Sequence, residues 1–95
     1  MRDPLIWIDM EMTGLDPDKD QTLEIAAVAT NGKLDKVVPG PNLIIKTPKQ
    51  TLDNMDEWCK MTHEKNGLTK LALESNVSME EAEKQVLDFL KGVGF

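Results

Sequence analysis

Two acidic residues, Asp9 and Glu11, stand at the end of an apolar segment near the start of the chain. Side chains alternate between the faces of a β-strand, so residues two apart point to the same side. Carboxylate oxygens are the ligands that Mg²⁺ and Mn²⁺ prefer, and these ions keep positions open for water and phosphate oxygens. Two such ions roughly 3.5–4 Å apart can activate water and stabilise the leaving oxygen in phosphodiester hydrolysis. Asp9 and Glu11 are therefore a candidate metal site.

The same two residues also have an ordinary explanation. The pattern Asp-x-Glu is common, and both carboxylates could simply face solvent at a strand end. Charges at the end of an apolar strand need compensation by metal, hydrogen bonds or water, and water alone would suffice. The spacing by itself favours this second interpretation, so the surrounding residues must decide.

The composition is that of one small globular domain with an acidic balance. The chain has 95 residues, of which 40% are hydrophobic, and a formal net charge of -6. This charge argues against a broad basic surface for long nucleic acid, since Lys and Arg supply most of that affinity. A short nucleic acid held through metal ions remains compatible, because the ions bring positive charge. No apolar run approaches the roughly 18 residues of a membrane span, so no membrane partner is expected.

Apolar runs in the first half of the chain predict three antiparallel strands. Leu5 to Met10 is apolar on both faces, which is typical of a central strand. Thr22 to Thr30 is the second run, and Asn31-Gly32 after it favours a tight hairpin. The third strand begins near Leu34, and its Pro39-Gly40-Pro41 interruption indicates a bulge or an edge position.

Helical periodicity dominates the second half. One helix is predicted from Leu52 onward, with Asp53 as N-cap and Gly67 as its stop, and a shorter one over residues 69–75. The last helix begins with the capping box of Ser78 and Glu81. Its predicted buried stripe consists of Met79, Ala82, Val86, Phe89 and Leu90. Three strands followed by helices predict an α/β or α+β domain.

The segment Trp7 to Asp16, with the sequence WIDMEMTGLD, closely resembles the first exonuclease motif of the oligoribonuclease family. That family belongs to the DEDDh 3′-to-5′ exonucleases of the ribonuclease-H-like superfamily. The resemblance continues in order and at similar spacing through residues 21–26, 40–46, 56–60 and 67–69. It implies an incomplete α/β ribonuclease-H-like exonuclease fold, with residues 1–95 as the N-terminal part of a single exonuclease domain.

The resemblance also implies roles for individual residues. Asp9 and Glu11 match the first two acidic residues of the DEDDh set, which are catalytic and bind Mg²⁺ or Mn²⁺, two ions in the complete site. Leu15 matches an apolar wedge beside the scissile base, Trp58 an aromatic on which a base stacks, and His63 a histidine near the 3′ end of the substrate. The full set of substrate-binding positions is Met12, Thr13, Gly14, Leu15, Trp58 and His63.

Three of these residues have other interpretations. A tryptophan on an apolar helical stripe, such as Trp58, is more often part of the core than a stacking platform. Leu15 could be an exposed turn leucine, which needs no explanation. His63 could be a cation near a helix C-terminus, where the macrodipole favours positive charge.

The DEDDh set requires further residues, namely two more aspartates and a histidine in an H-x-x-x-D motif that acts as general base. His63 is the only histidine, and no H-x-x-x-D follows it. We therefore expect half of a site for 3′-to-5′ hydrolysis of very short RNA, down to dinucleotides, into mononucleotides, with this chain alone inactive. The alternatives are an inactive short form that binds nucleic acid or protein, and an unrelated α/β domain. The resemblance further implies a homodimer for the complete enzyme, in the cytoplasm or mitochondria.

Overall fold

The computed structural model describes residues 2–95, in which three strands precede four helices. The strands are β1 (Leu5–Met12), β2 (Thr22–Thr30) and β3 (Val37–Ile44). The helices are α1 (Lys49–Asp53), α2 (Glu57–Lys65), α3 (Leu68–Glu74) and α4 (Met79–Gly92). This order confirms the predicted meander followed by helices. None of the helices in the described range is long and apolar enough to cross a membrane.

The strands form one antiparallel sheet in the order β1-β2-β3. Within residues 2–95, β1 pairs with β2 alone, so the prediction of a central strand is wrong for this structure. Trp7 and Ile8 point to opposite faces, and they are 52% and 50% exposed. An apolar pattern on both faces shows that a strand is suited to a buried, central position. Whether it occupies one depends on which other strands are present to pair with it.

The third strand passes through Pro39-Gly40-Pro41 without a break and lies at the other edge of the sheet. The pairing shifts between Ala26 and Val28 on the facing strand, so the predicted bulge and edge position are both confirmed. A Cβ on Gly40 would lie 2.5 Å from the Ala27 carbonyl oxygen and 2.7 Å from the Phe89 ring. The close approach of strand and helix therefore requires glycine here.

The connection between β2 and β3 is longer than the tight hairpin predicted from Asn31-Gly32, since β2 ends at Thr30 and β3 begins at Val37. Asn31 starts the turn, and its side-chain oxygen accepts hydrogen bonds from the N–H groups of Asp35 and Lys36. Leu34 adopts a positive φ of 62° within this loop. The Asn31 side chain thus organises a loop of several residues, because it bonds to the far side of the turn instead of to its neighbour.

The chain between β3 and Lys65 contains two helices where periodicity predicted one. Asp53 is the last residue of α1 and caps nothing, so its predicted N-cap role is wrong. Asp56 caps α2 instead, and its carboxylate accepts a hydrogen bond from the Cys59 N–H at 2.7 Å. Gly67 has a φ of 79° and ends this region as predicted. The break therefore places Trp58 in the first turn of a separate helix, α2.

The last helix begins where the sequence indicates. Ser78 Oγ accepts a hydrogen bond from the Glu81 N–H at 3.1 Å, which satisfies one free donor of the first turn. Ala82 and Val86 are buried, and α4 packs against β3 and β2. Met79 is exposed beside a surface groove, so its place in the buried stripe is wrong.

A single apolar cluster joins the sheet to the first three helices. It consists of Leu23, Leu52, Met55, Cys59, Leu68 and Ala72, with Ile44 packed against it. Leu23 from β2 has no exposed surface and is central to this cluster. The cluster fixes the start of α2 close to the end of β1, and this neighbourhood forms the candidate site.

Candidate functional site

Asp9 and Glu11 lie at the exposed end of β1 and face the same side of the sheet. Opposite them on β2 are Ala26 and Glu24, so Glu11 stands directly across from another carboxylate. Like charges at facing positions of a sheet repel each other. The salt bridge of the described chain is Lys49–Asp53, so no Lys or Arg within residues 2–95 neutralises Asp9 or Glu11. This is an acidic, water-accessible end where a cation would be favourable.

An open groove of about 760 Å³ begins beside this acidic end. It lies between β1, the loop that follows β1, and the first turn of α2. The lining residues are Met10, Glu11, Met12, Gly14, Leu15 and residues 56–59. The structure therefore brings together Glu11, Met12, Gly14, Leu15 and Trp58 of the predicted site. Asp9 does not line the groove and lies two positions earlier on the same face of β1.

The two apolar side chains of the groove are both unusually open to solvent. Leu15 is 100% exposed on the loop after β1, and Trp58 is 67% exposed at the start of α2. The interpretation of Trp58 as a core residue is therefore wrong, because most of its ring is outside the core. Aromatic and aliphatic groups that face an open groove offer stacking and contact surfaces to a flat ligand such as a base.

His63 lies behind the groove and is only 3% exposed. Its Nε2 lies 2.8 Å from the Met12 carbonyl oxygen, which can only accept, so Nε2 carries a hydrogen and donates. This bond joins α2 to the end of β1 across 51 positions of sequence. His63 was expected near the 3′ end of the substrate, and in this structure its Nε2 is hydrogen-bonded to the backbone of β1.

Thr13 also turns away from the groove. It is buried, and its hydroxyl donates to Asp20 Oδ1 and accepts from the Gln21 N–H, each at 2.9 Å. The Thr13 N–H donates to the Gln21 carbonyl oxygen at 2.9 Å. These bonds close the loop between β1 and β2, so Thr13 contacts the loop rather than the groove.

A metal would find part of a ligand set here. Asp9 and Glu11 supply the oxygen ligands that suit Mg²⁺ or Mn²⁺. The structure brings together no group of three or more His, Cys, Asp or Glu that could hold a metal within residues 2–95. The carboxylate oxygens of Asp9 and Glu11 are of the type that Mg²⁺ or Mn²⁺ prefers, but two carboxylates are few protein ligands for such an ion.

Comparison with known proteins identifies the group to which this arrangement belongs. A family described as Exonuclease matches residues 6–94 of the chain. The chain belongs to the exonuclease family. This membership and the observed meander confirm the predicted ribonuclease-H-like exonuclease fold, of which the structure shows three strands and the helices after them.

The chain is similar to oligoribonucleases from several organisms. It is 47% identical to the mitochondrial oligoribonuclease of Mus musculus over 91 residues, which are 96% of this chain and 38% of that protein. It is 48% identical to the oligoribonuclease of Arabidopsis thaliana over 90 residues, 95% of this chain and 40% of that protein. It is 49% identical to the oligoribonuclease of Marinobacter nauticus over 88 residues, 93% of this chain and 49% of that protein. The chain thus spans less than half the length of these relatives.

Two residues without a predicted role shape the groove and the loop beside it. Asp20 accepts two hydrogen bonds in the loop that carries Leu15, and Asp56 lines the groove and caps α2. An Asp before an apolar-periodic segment is a known helix-start signal, so Asp56 could have been found from the sequence. Asp20 had no local signal, because its partners are set by the course of the loop.

The start of α2 has a distinct electrostatic character. The hydrogen bond from the Cys59 N–H holds the pKa of Asp56 below its ordinary value of 3.8. Burial raises the pKa of the Cys59 thiol, and the neighbouring Asp56 carboxylate raises it further. Cys59 therefore stays protonated and packs in the apolar core.

We expect Asp56→Asn to change how the stability of the chain depends on pH. The folded pKa of Asp56 is below its unfolded value, so its stabilising effect is complete above about pH 4 and lost as pH falls through the folded pKa. Asparagine still caps the helix but does not titrate. In urea unfolding from about pH 7 to about pH 2, the stability advantage of the wild-type chain over Asp56→Asn should shrink. A difference that stays constant across this range would contradict the prediction.

Proposed function

We propose that this chain carries the first part of the active site of a 3′-to-5′ exoribonuclease that degrades very short RNA to mononucleotides. The observation that supports it most is that Leu15, Trp58 and Glu11 line the same groove. Its volume of about 760 Å³ suits a small ligand such as a dinucleotide. The relatives named oligoribonuclease support the same choice of substrate class.

In this proposal Asp9 and Glu11 hold the first metal ligands of a site for Mg²⁺ or Mn²⁺. Bound ions of this kind supply charge stabilisation and an activated water for phosphodiester hydrolysis. The like charges of Glu11 and Glu24 across the strand pair would be relieved by a cation. The formal net charge of -6 is compatible with this substrate, since a dinucleotide has few phosphates for Lys and Arg to neutralise.

The side chains of the groove would orient the substrate. A base stacked on Trp58 would leave the sugar-phosphate free to reach the acidic end of β1, because both line the same groove. Leu15 would contact the adjacent base as a wedge. Such positioning fixes the scissile bond relative to Asp9 and Glu11 before reaction, and it accounts for a large part of catalysis in general.

The chain by itself is proposed to be inactive. Two acidic ligands are at the site, and His63, the only histidine, is buried with its Nε2 bonded to the Met12 carbonyl oxygen. No histidine in the described residues therefore lines the groove to serve as the general base that the resemblance implies. The proposal includes a homodimer for the complete protein, as the resemblance implies, and a cytoplasmic or mitochondrial location, the latter matching the name of the mouse relative.

A chimera tests this proposal directly. In it, the present chain replaces the segment of the Marinobacter nauticus oligoribonuclease that it matches, which supplies the rest of a family-length protein. We expect the chimera to hydrolyse the dinucleotide ApA with Mn²⁺ and the 95-residue chain to give no product. The unmodified relative is the positive control for the assay. Turnover by the isolated chain would overturn the incomplete-site proposal.

A second function is favoured by one observation. The groove, with Trp58 and Leu15, lies entirely within this chain, whereas its acidic ligand set is small. The chain could therefore bind a short nucleic acid without cleaving it. Binding of ApA to the isolated chain together with an inactive chimera would support this binding module over the nuclease.

A further inference from the structure

The carboxylate of Asp20 holds the loop that carries Leu15. Asp20 Oδ1 accepts a hydrogen bond from the Thr13 hydroxyl at 2.9 Å, and Asp20 Oδ2 accepts one from the Asp16 N–H at 2.8 Å. Thr13 precedes Gly14-Leu15 and Asp16 follows it. The carboxylate thus ties together the two residues that flank the exposed leucine.

Backbone bonds complete the closure of the loop. The Asp20 N–H donates to the Asp16 carbonyl oxygen at 2.8 Å, and the Thr13 N–H donates to the Gln21 carbonyl oxygen at 2.9 Å. The Gln21 N–H in turn donates to the Thr13 hydroxyl at 2.9 Å. Both ends of the Leu15 segment are therefore tied, although the leucine side chain packs against nothing.

Gly14 shows how closely Asp20 approaches. A Cβ on Gly14 would lie 2.4 Å from Asp20 Oδ2, closer than any real side chain tolerates. Gly14 is buried although its neighbour Leu15 is fully exposed. The absence of a side chain at position 14 is thus what allows the carboxylate to reach across the loop.

Asp20 acts from outside the groove. With Thr13 and Met55 it lines a separate cavity of about 260 Å³, whereas Gly14 and Leu15 line the larger groove. A ligand in the groove would therefore meet Leu15 and not Asp20. Asp20 can therefore contact a ligand in the groove only indirectly, through the Gly14–Leu15 segment that it holds.

We propose that Asp20 is a positioning residue that holds Leu15 over the groove before a ligand arrives. A leucine with no packing contacts would otherwise move with its loop, and ordering it on binding would weaken affinity. The use of Leu15 as a base wedge rests on the proposed function. The order that Asp20 imposes on the loop is a property of the free chain.

Amide hydrogen exchange of the 95-residue chain tests the loop without any ligand. In Asp20→Asn, the side chain has one acceptor oxygen and one NH₂ group, so it can no longer accept hydrogen bonds from both the Thr13 hydroxyl and the Asp16 N–H. We expect the Asp16 amide to exchange about tenfold faster or more, with the amides of β2 unchanged, and the NMR order parameter of Leu15 to fall. Unchanged exchange and an unchanged order parameter would overturn the proposal.

Matched variants guard against trivial causes. Asp18→Asn makes the same charge change in the same loop, and the Asp18 carboxylate accepts no hydrogen bond among residues 2–95, so Leu15 should stay ordered. Thr13→Val removes the hydroxyl and should loosen the loop, whereas Thr13→Ser keeps it and should restore order. The threonine pair tests the same carboxylate contact should Asp20→Asn fail to fold.

A double-mutant cycle tests whether the order that Asp20 gives to Leu15 affects the binding of ApA. Titration of ApA with Mn²⁺, followed by tryptophan fluorescence, should show Asp20→Asn binding about three- to tenfold more weakly than wild type. In a Leu15→Ala background the same change should have no further effect, whereas a general structural role would give additive losses. Additive losses would overturn the proposal. Absence of binding by the wild-type chain would count against the proposed function alone, because the exchange experiment decides the role of Asp20.

Discussion

Replacing Asp9 by alanine in the chimera should abolish ApA hydrolysis while the fold stays nearly intact. Loss of a group that only orients a metal ligand typically costs about 10–100-fold, and loss of the ligand itself should exceed that. The Asp9 side chain is exposed and faces Ala26 across the strand pair, and no hydrogen bond in the described chain uses it. Exposed substitutions of this kind change stability by about 0.5 kcal/mol or less.

Initial rates with Mn²⁺ and urea unfolding would check the two parts of this prediction. Asp18→Asn is the matched control for charge, since it lies in the neighbouring loop and does not line the groove. Its rate should equal that of the unmodified chimera. An Asp9→Ala chimera that retains activity would refute the ligand role. Loss of activity together with loss of the fold would assign Asp9 a structural role instead.

Replacing Trp58 by alanine should weaken substrate binding with little loss of stability. Stacking of a base on an aromatic side chain contributes about 1–3 kcal/mol, which corresponds to roughly a 5- to 150-fold rise in KM. Trp58 is 67% exposed, so its removal leaves no cavity in the core. Trp58→Phe keeps a stacking surface and should retain most of the affinity.

Met61 offers a control on the same helix. It is 65% exposed, close to the value for Trp58, but it lies one turn further along α2 and does not line the groove. Met61→Ala should leave the KM for ApA unchanged. Equal effects of Trp58→Ala and Met61→Ala would indicate a general change in the helix and would remove the stacking role.

Much of the fold follows from local patterns that are legible in the sequence. The three strands, the proline-containing edge strand and the Ser78 cap of α4 were all predicted and observed. Each depends on neighbours within a few residues, where alternation, turn residues and capping groups act directly. The helix break before Trp58 was missed, because the apolar spacing of Leu52, Met55 and Cys59 continues across it and Asp53, at the end of α1, is also a residue type that caps helices.

The candidate site divides in the same way. The shared face of Asp9 and Glu11 followed from their spacing, and the place of Leu15 in the same groove as Glu11 followed from the resemblance. The outward position of Trp58 did not, because an apolar helical stripe is equally compatible with burial. His63 and Thr13 were expected at the substrate, and the structure instead bonds their polar atoms to the Met12 carbonyl and to Asp20.

The sequence alone determined the three strands and the helical second half, the shared face of Asp9 and Glu11, and membership in the exonuclease family. The tertiary structure decided which apolar side chains stay in solvent, where β1 lies in the sheet and which partner His63 takes. The reason is physical: alternation and capping act over two to four residues. The bond between His63 and Met12 spans 51 positions and exists only once the packed core brings α2 to the end of β1.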